Sequence, residues 1–137
     1  MNAKELFPLA ENAPDRVKTP TGKSLSDLTV DGILAGDITQ EDLAITPEAL
    51  HLQAEIANSV GRHALAENFH RAAELVRVPQ EVLMETYDML RPGRSDLRSL
   101  LERAELFRRE YNADRIAAFV EEAAVLYERR KIFTKRY

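Results

Sequence analysis

The stretch YDMLRPGRS, residues 87–95, places two arginines on either side of a proline and a glycine. Guanidinium groups bind carboxylates and phosphates, so the stretch could form an anion-binding loop. Local structure explains most of it, because Pro92 cannot continue a helix, Gly93 gives backbone freedom and Ser95 can cap the next helix. Arg94 is not explained, since a cation directly before a helix N-terminus faces the positive end of the helix dipole. Two interpretations stay open: a plain helix boundary, or a pairing of Arg94 with an acid, favoured as a carboxylate of a partner chain over a small ligand.

The three histidines, His51, His63 and His70, do not have the spacing of a helical metal site. Two ligands on one helix are expected three or four residues apart. His63 and His70 are seven apart, which is about 10 Å along a helix axis. We therefore interpret all three as surface or core-edge side chains.

No pattern for catalysis is present either. Glu121 and Glu122 are adjacent, so on a helix their side chains point about 100° apart and cannot form a dyad. The sequence has no nucleophile elbow, no P-loop and no glycine-rich dinucleotide fingerprint. It has no cysteine, which excludes disulfides and thiolate chemistry. We predict no catalytic, cofactor-binding or metal-ligating residue in this chain.

The composition is that of a globular protein, with 45% hydrophobic and 31% charged residues. The net charge of −4 argues against a nucleic-acid partner, which requires a basic surface. No apolar run reaches the roughly 20 residues of a membrane span. The start, MNAKELFPLA, is not that of a signal peptide. We expect a cytoplasmic protein without a membrane partner.

Residues 1–46 contain three of the six prolines and little periodicity. They also contain apolar side chains, among them Leu6, Phe7, Leu9 and Val17, which a disordered tail would seldom hold. We predict an extended arm that packs on this chain's own helices or on another chain. One short helix is expected within it, capped by Thr29 and ended by Gly36.

Residues 47–137 have nearly continuous helical periodicity. Start signals occur at Thr46-Pro47, Pro79 and Ser95-Asp96, Gly61 can break a helix, and Asn112 can cap the last one. The stripes expected to be buried on these helices include Leu50, Leu52, Ala54, Ile56, Ala57, Phe69, Val76, Leu83, Tyr87, Leu90, Leu97, Leu100, Leu101, Ala104, Phe107, Ile116, Val120 and Ala124, and Phe119 and Leu126 widen the last stripe.

These patterns predict an all-α fold: a compact helical bundle of about four to five helices with an extended, proline-rich N-terminal arm. The arm would span residues 1–46 and the helical domain residues 47–137, as one domain overall.

The basic run ERRKIFTKRY at the C-terminus fits a helix end, where cations meet the negative dipole, or a partner contact beside apolar Phe133 and Tyr137. A small helical domain with an apolar arm and no catalytic pattern is best interpreted as an interaction module or subunit. The subunit-interface candidates are Phe7, Leu9, Arg91, Arg94 and Phe133.

Five stretches occur in a familiar order: TPTGKSLSDLTVDGILAG, ITPEALHLQAEIA, NFHRAAELVRVP, LRPGRS and AAFVEEAAVLYERRK. With them the chain resembles the small (gamma) subunit of adenosylcobalamin-dependent glycerol or diol dehydratases, over roughly residues 7–131. Members of that family have an aromatic residue where Gly93 stands. The matching part begins almost at Met1, without the longer N-terminal extension of diol-type subunits, which favours the glycerol type and weakens the case for packaging in a bacterial microcompartment.

The resemblance implies a subunit without catalytic residues in an assembly of two three-subunit units. It would pack on the large (alpha) subunit, whose barrel holds the substrate, while adenosylcobalamin lies between the large and medium (beta) subunits. The holoenzyme would remove water from glycerol or 1,2-propanediol by a radical mechanism to give the aldehyde. The alternative is a stand-alone helical DNA-binding or regulatory module, for which acids interleave too closely with the cations between Arg91 and Arg109.

Overall fold

A computed structural model of the protein describes residues 2–133. Within this range the chain is all-α, as expected, and five of its helices exceed seven residues. The internal contacts divide the chain into two units, Met1–Val76 and Arg77–Tyr137, each of which is described by itself. The N-terminal segment expected to be an arm belongs to the first unit together with two of the long helices.

The first unit contains α1 (Leu9–Asn12), α2 (Val30–Leu34), α3 (Pro47–Ser59) and α4 (His63–Leu75). Single turns of 3-10 helix cover Ala3–Leu6, Pro14–Arg16, Leu25–Asp27 and Gln40–Leu43. The segment before α3 is therefore a series of short helical turns, which differs from the extended arm that the prolines suggested. A proline restricts itself and the residue before it, but a single turn fits between successive prolines.

This N-terminal segment packs on the chain's own helix α3. Leu6, Leu9 and Ala13 are buried in one cluster with Leu52 and Ile56 of that helix, and Val17 covers its edge. Burial of these apolar side chains supplies a driving force that such short turns lack by themselves. The sequence left open whether the segment packs on this chain or on another chain. In the structure it packs on this chain's own helix α3.

A polar network around Asp42 fixes the second half of the segment. The Asp42 carboxylate is buried and accepts hydrogen bonds from the Thr21 hydroxyl, from the Thr39 N–H (3.0 Å), from the Lys23 ammonium (3.0 Å) and from the Thr19 hydroxyl (3.0 Å). These donors, the Thr21 hydroxyl first, hold the pKa of Asp42 far below its usual range. The network therefore closes the turn at residues 19–23 onto the Gln40–Leu43 turn.

Replacing Asp42 by Asn should lower the thermal midpoint of the chain by about 5–10 °C at neutral pH, because several donors lose a charged acceptor. The folded state favours the ionised carboxylate, so this contribution is complete above the ordinary carboxyl pKa of 3.8 and is lost as the pH falls below it. The midpoint difference between wild type and Asp42→Asn, followed by circular dichroism, should thus shrink towards pH 3. Asp37→Asn makes the same change at an exposed site and serves as the control. Equal midpoints for the two variants would contradict the role of the network.

Helices α3 and α4 form an antiparallel pair, and their ends agree with the sequence signals. The Thr46 side chain accepts a hydrogen bond from the Ala49 N–H (3.2 Å), with Pro47 in the first turn. Gly61 has φ +77° and separates the two helices, as its position in the pattern suggested. Both stripes of α3 are buried, and Ala54 and Ala57 contact Ala66, Leu65 and Phe69 of α4. The burial expected for the apolar residues of α3 is confirmed.

The second unit contains α5 (Gln80–Met89), α6 (Leu97–Tyr111) and α7 (Asp114–Arg129). Helices α6 and α7 pack against each other along their length. Arg108 of α6 binds Glu121 of α7 through two bonds of 2.7 and 3.2 Å, which lower the pKa of the Glu121 carboxyl. Arg103 of α6 binds Glu85 of α5 at 3.0 Å.

The core of the second unit confirms most of the predicted stripe on α6 and α7. Buried there are Leu100, Ala104, Phe107, Ile116, Val120 and Ala124. Tyr87, Leu101 and Phe119 were expected in the core, but 62%, 40% and 45% of their surfaces are exposed, and Val76 of the first unit is exposed as well. Each of these residues lies at the edge of an apolar stripe, where a rotation of the helix by part of a turn decides between core and solvent.

Candidate subunit interface

The loop that contains the RPGRS stretch is fixed to the C-terminal end of α7. The Tyr127 hydroxyl donates a hydrogen bond to the Leu90 carbonyl (2.8 Å), at the end of α5. The Gly93 N–H donates to the Ile132 carbonyl (3.2 Å), and Gly93 has φ +73°. Glycine adopts this left-handed conformation without strain, and the loop and residues 130–133 form one surface, here called the loop surface.

The two arginines of the loop surface differ in what they contact. Arg91 binds Asp88 at 3.4 Å, with both side chains more than half exposed, so the pair contributes little to stability. Arg94 is exposed and makes no ion pair with any residue between 2 and 133. Its guanidinium group is available to a partner.

The helix cap after the loop is Asp96 and not Ser95, which corrects the expectation from the sequence. The Asp96 carboxylate accepts a hydrogen bond from the Ser99 N–H (2.8 Å), and this bond lowers the pKa of Asp96. A carboxylate is the stronger cap at the positive end of a helix. It also offsets the unfavourable position of Arg94, so this arginine does not need an external anion to tolerate its place in the fold.

Asn112 was expected to cap the last helix at its start, but it ends α6 instead. Its backbone is left-handed, with φ +51°, and the Ala113 N–H donates to the Phe107 carbonyl. Asparagine tolerates this conformation better than most residues, so the same side chain suits both kinds of helix end.

Phe133 lies at the other edge of the loop surface. Its ring meets that of Tyr127 edge to face, with centroids 5.8 Å apart, and it is partly buried. Arg129 and Arg130 mark the end of α7, where cations favour the negative dipole end. The expectation for Tyr137 lies outside the described residues. The loop surface therefore combines cations with an aromatic side chain.

Phe7 and Leu9 belong to the first unit and have opposite environments. Leu9 is only 6% exposed and packs in the core with Leu52 and Ile56, which leaves little of it for a partner to contact. Phe7 is 61% exposed and borders two surface grooves of about 500 Å³ each. Of these two candidates, Phe7 is the one that a partner can contact.

The structure brings together two histidines that the sequence separates by 19 residues. Nδ1 of His51 on α3 lies 3.0 Å from Nδ1 of His70 on α4, with the ring centroids 5.2 Å apart. Nδ1 of His63 lies 3.0 Å from the Asn58 side-chain oxygen. Among residues 2–133 no three histidines and carboxylates form a group that could hold a metal ion. The His51 and His70 rings thus contact each other between α3 and α4, and the His63 ring contacts Asn58 beside the turn that joins these helices.

Sequence reasoning missed one exposed apolar feature, helix α2. None of its residues is buried, and its apolar side chains Val30, Ile33 and Leu34 are 72%, 48% and 80% exposed. The Thr29 cap was predicted and is present. The signal for exposure was the shortness of this helix, since one turn and a half cannot bury both of its faces.

None of the helices between residues 2 and 133 combines the length and the apolar character that a membrane crossing requires.

Comparisons with known proteins agree with a subunit role. The family model described as "Dehydratase small subunit" matches residues 2–134. The chain is 49% identical over 125 residues to the propanediol dehydratase small subunit of Citrobacter freundii, a match that covers 91% of this chain and 73% of the relative. It is equally similar, over 91% of this chain and 72% of the relative, to the protein of the same name from Salmonella typhimurium. The chain therefore belongs to the dehydratase small-subunit family, and it is a subunit of a dehydratase.

Proposed function

We propose that this chain is the non-catalytic small subunit of an adenosylcobalamin-dependent dehydratase that converts 1,2-propanediol or glycerol to the corresponding aldehyde. The observation that carries the proposal is the 49% identity to two propanediol dehydratase small subunits, which favours 1,2-propanediol over the glycerol type that the start of the sequence suggested. Several ionisable groups agree with a supporting role, since Asp96 caps a helix, Arg108 and Glu121 form an ion pair between helices, and Asp42 is the centre of a polar network.

The partners in this proposal are the large (alpha) and medium (beta) subunits, in an assembly of two three-subunit units. The chain would stabilise the large subunit through exposed side chains, with Phe7, Arg91, Arg94 and Phe133 among the contacts. Phe7 supplies an exposed aromatic ring and Arg94 an unpaired guanidinium group, and both kinds of side chain are enriched at the energetic centres of interfaces. We place the assembly in the cytoplasm.

Adenosylcobalamin supplies the radical chemistry when it is bound to the holoenzyme. The imidazoles of the described residues, which could ligate cobalt, are already hydrogen-bonded to neighbours. Both rings of the His51–His70 pair are engaged with each other, and no metal-holding cluster is formed in residues 2–133. We therefore assign the cofactor to the partner subunits and give this chain no step in the reaction.

The test is a tagged purification of this chain from its source cells, followed by an assay of adenosylcobalamin-dependent aldehyde formation from each diol. Activity together with two larger co-purifying chains is expected, and the ratio of the two rates identifies the preferred substrate. A monomer that purifies without partners or activity would overturn the proposal. A salt-dependent shift of duplex DNA at physiological salt would instead support the alternative of a DNA-binding module.

Arg94→Ala should weaken binding of this chain to the other subunits by about threefold to tenfold, as expected for a charged interface contact. Arg98→Ala is the matched control, because Arg98 is also exposed but binds Glu102 of its own helix at 2.9 Å. Affinity can be measured by titrating each variant into the complex of the other subunits, and helix content by circular dichroism. Unchanged affinity, or a loss of helix content in the free Arg94→Ala chain, would contradict the interface role.

A further inference from the structure

One of the two grooves beside Phe7 has a more specific chemical character than the loop surface. This groove, here called the α3–α4 groove, has a volume of about 500 Å³. Its apolar lining is formed by Phe7, Ile56, Val60, Leu65 and Phe69.

The groove follows from the way α3 turns into α4. Helix α3 ends at Ser59, and Gly61, with its positive φ, reverses the chain before α4 begins at His63. The turn leaves Val60 48% exposed at the edge of the groove, and Phe7, 61% exposed, comes from the N-terminal segment. The groove is thus shaped by rigid helices and has apolar side chains open to a partner.

The groove is lined by positive charges, although the first unit as a whole is negatively charged. Residues 1–76 contain six Lys and Arg against twelve Asp and Glu. The groove nevertheless is lined by two of the cations, Lys4 and Arg62, and by none of the acids. Neither cation makes an ion pair with a residue between 2 and 133. The groove therefore combines an apolar lining with two cations that are free to pair with a partner.

The start of α4 adds to this positive character. Arg62 directly precedes the helix, whose first turn has no acidic residue and no side-chain cap. Arg62 therefore faces the positive end of a 13-residue helix without the carboxylate that Asp96 provides before α6. A carboxylate from outside the chain would relieve both the cation and the helix end.

We propose that the α3–α4 groove is the docking site for a segment of a partner dehydratase subunit that inserts apolar side chains and is flanked by Asp or Glu. The proposal rests on the proposed function, since the partner is another subunit of the same enzyme. Apolar side chains of the segment fill the groove beside Phe7 and Val60, and its carboxylates pair with Lys4 and Arg62. A nucleic acid would not use the apolar lining, and two cations are too few for its backbone.

The experiment is a titration of the full chain into the complex of the other subunits, with wild type and the double variant Lys4→Glu plus Arg62→Glu. The double variant should bind about tenfold or more weakly, because two attractive contacts become repulsive. The variant Arg16→Glu plus Lys18→Glu makes the same change of charge on the same unit and should stay within about twofold of wild type, since neither residue lines the groove. The free groove variant should not lose thermal stability, because neither groove cation is paired within the described chain and a carboxylate at position 62 suits the positive end of α4.

The outcomes separate this proposal from the one on which it rests. If wild type does not bind the other subunits, the proposed function fails. If wild type binds and the groove variant binds equally well, the groove proposal is overturned and the proposed function stands. Sedimentation of the free chain tests the competing occupant: loss of self-association in the groove variant, with unchanged subunit binding, would assign the groove to a second copy of this chain and would also overturn the proposal.

Discussion

Leu100→Ala is expected to lower the free energy of unfolding by about 2–5 kcal/mol, the range for removing a fully buried leucine side chain. Leu100 is completely buried on α6, in the same core as Ala104 and Phe107. The substitution removes three carbon atoms and leaves a cavity that the packed helices α6 and α7 close only in part. Urea unfolding of the full chain, followed by circular dichroism, measures the loss.

The control for this prediction is the neighbouring residue of the same type. Leu101 is 40% exposed, so Leu101→Ala should cost less than about 1 kcal/mol. Both variants remove the same atoms from the same helix, and leucine and alanine differ little in helix propensity. Equal losses at the two positions would contradict the orientation of α6, in which Leu100 faces the core and Leu101 faces outward.

Leu9→Ala and Phe7→Ala should have opposite effects on stability and assembly, although the two residues are only two positions apart. Leu9 is buried against Leu52 and Ile56, so its truncation should destabilise the free chain by about 2–4 kcal/mol. Phe7 is 61% exposed, so its truncation should leave the free chain within about 0.5 kcal/mol of wild type. It should instead weaken binding to the other dehydratase subunits by about tenfold or more, because an exposed aromatic side chain at an interface is a typical energetic anchor.

The two measurements are urea unfolding of the free chain and titration into the complex of the other subunits. Phe119→Ala is the control for Phe7→Ala, because Phe119 is also a partly exposed phenylalanine, at 45%, but lies on α7 in the other unit. A stability loss for Phe7→Ala as large as that for Leu9→Ala would mean that Phe7 supports the fold. Equal binding of Phe7→Ala and wild type would remove Phe7 from the interface.

The packing of the N-terminal segment also predicts the result of a truncation. A free, extended arm could be removed with more damage to assembly than to the fold. Since Leu6, Leu9 and Ala13 complete the core beside α3, deletion of residues 1–22 should expose Leu52 and Ile56 and unfold the first unit. Loss of the helical signal in the free chain on heating, well below the wild-type midpoint, is the expected observation.

The helix caps and turns of this chain can be predicted from its sequence. Thr29 and Thr46 cap helices, Pro47 lies in a first turn, and Gly61 and Gly93 adopt positive φ. Each of these effects acts between residues that are at most four positions apart, so the sequence contains all that is needed. The family resemblance likewise needed only the order of short motifs, and the match over residues 2–134 confirms it.

Contacts between distant residues could not be read in this way. The sequence spacing of the histidines excluded His63 with His70 but gave no reason to place His51 beside His70, which only the pairing of α3 with α4 does. From the sequence, Asp42 cannot be distinguished from the surface acids, because only its contacts with the turn at residues 19–23 bury it. For the same reason the sequence could not separate Leu9 from Phe7 among the interface candidates. Both are apolar, and only packing on α3 places Leu9 in the core and leaves Phe7 at the surface.

The sequence by itself determined that this protein is all-α, where most of its helices begin and end, and to which family it belongs. The tertiary structure decided which apolar stripes are buried, which cations lack partners, and that the N-terminal segment is part of the core. The physical reason is the distance along the chain over which each effect acts. Helix caps and backbone preferences depend on neighbours within one turn, whereas burial and ion pairing depend on how separate elements pack, and that packing is a property of the whole chain.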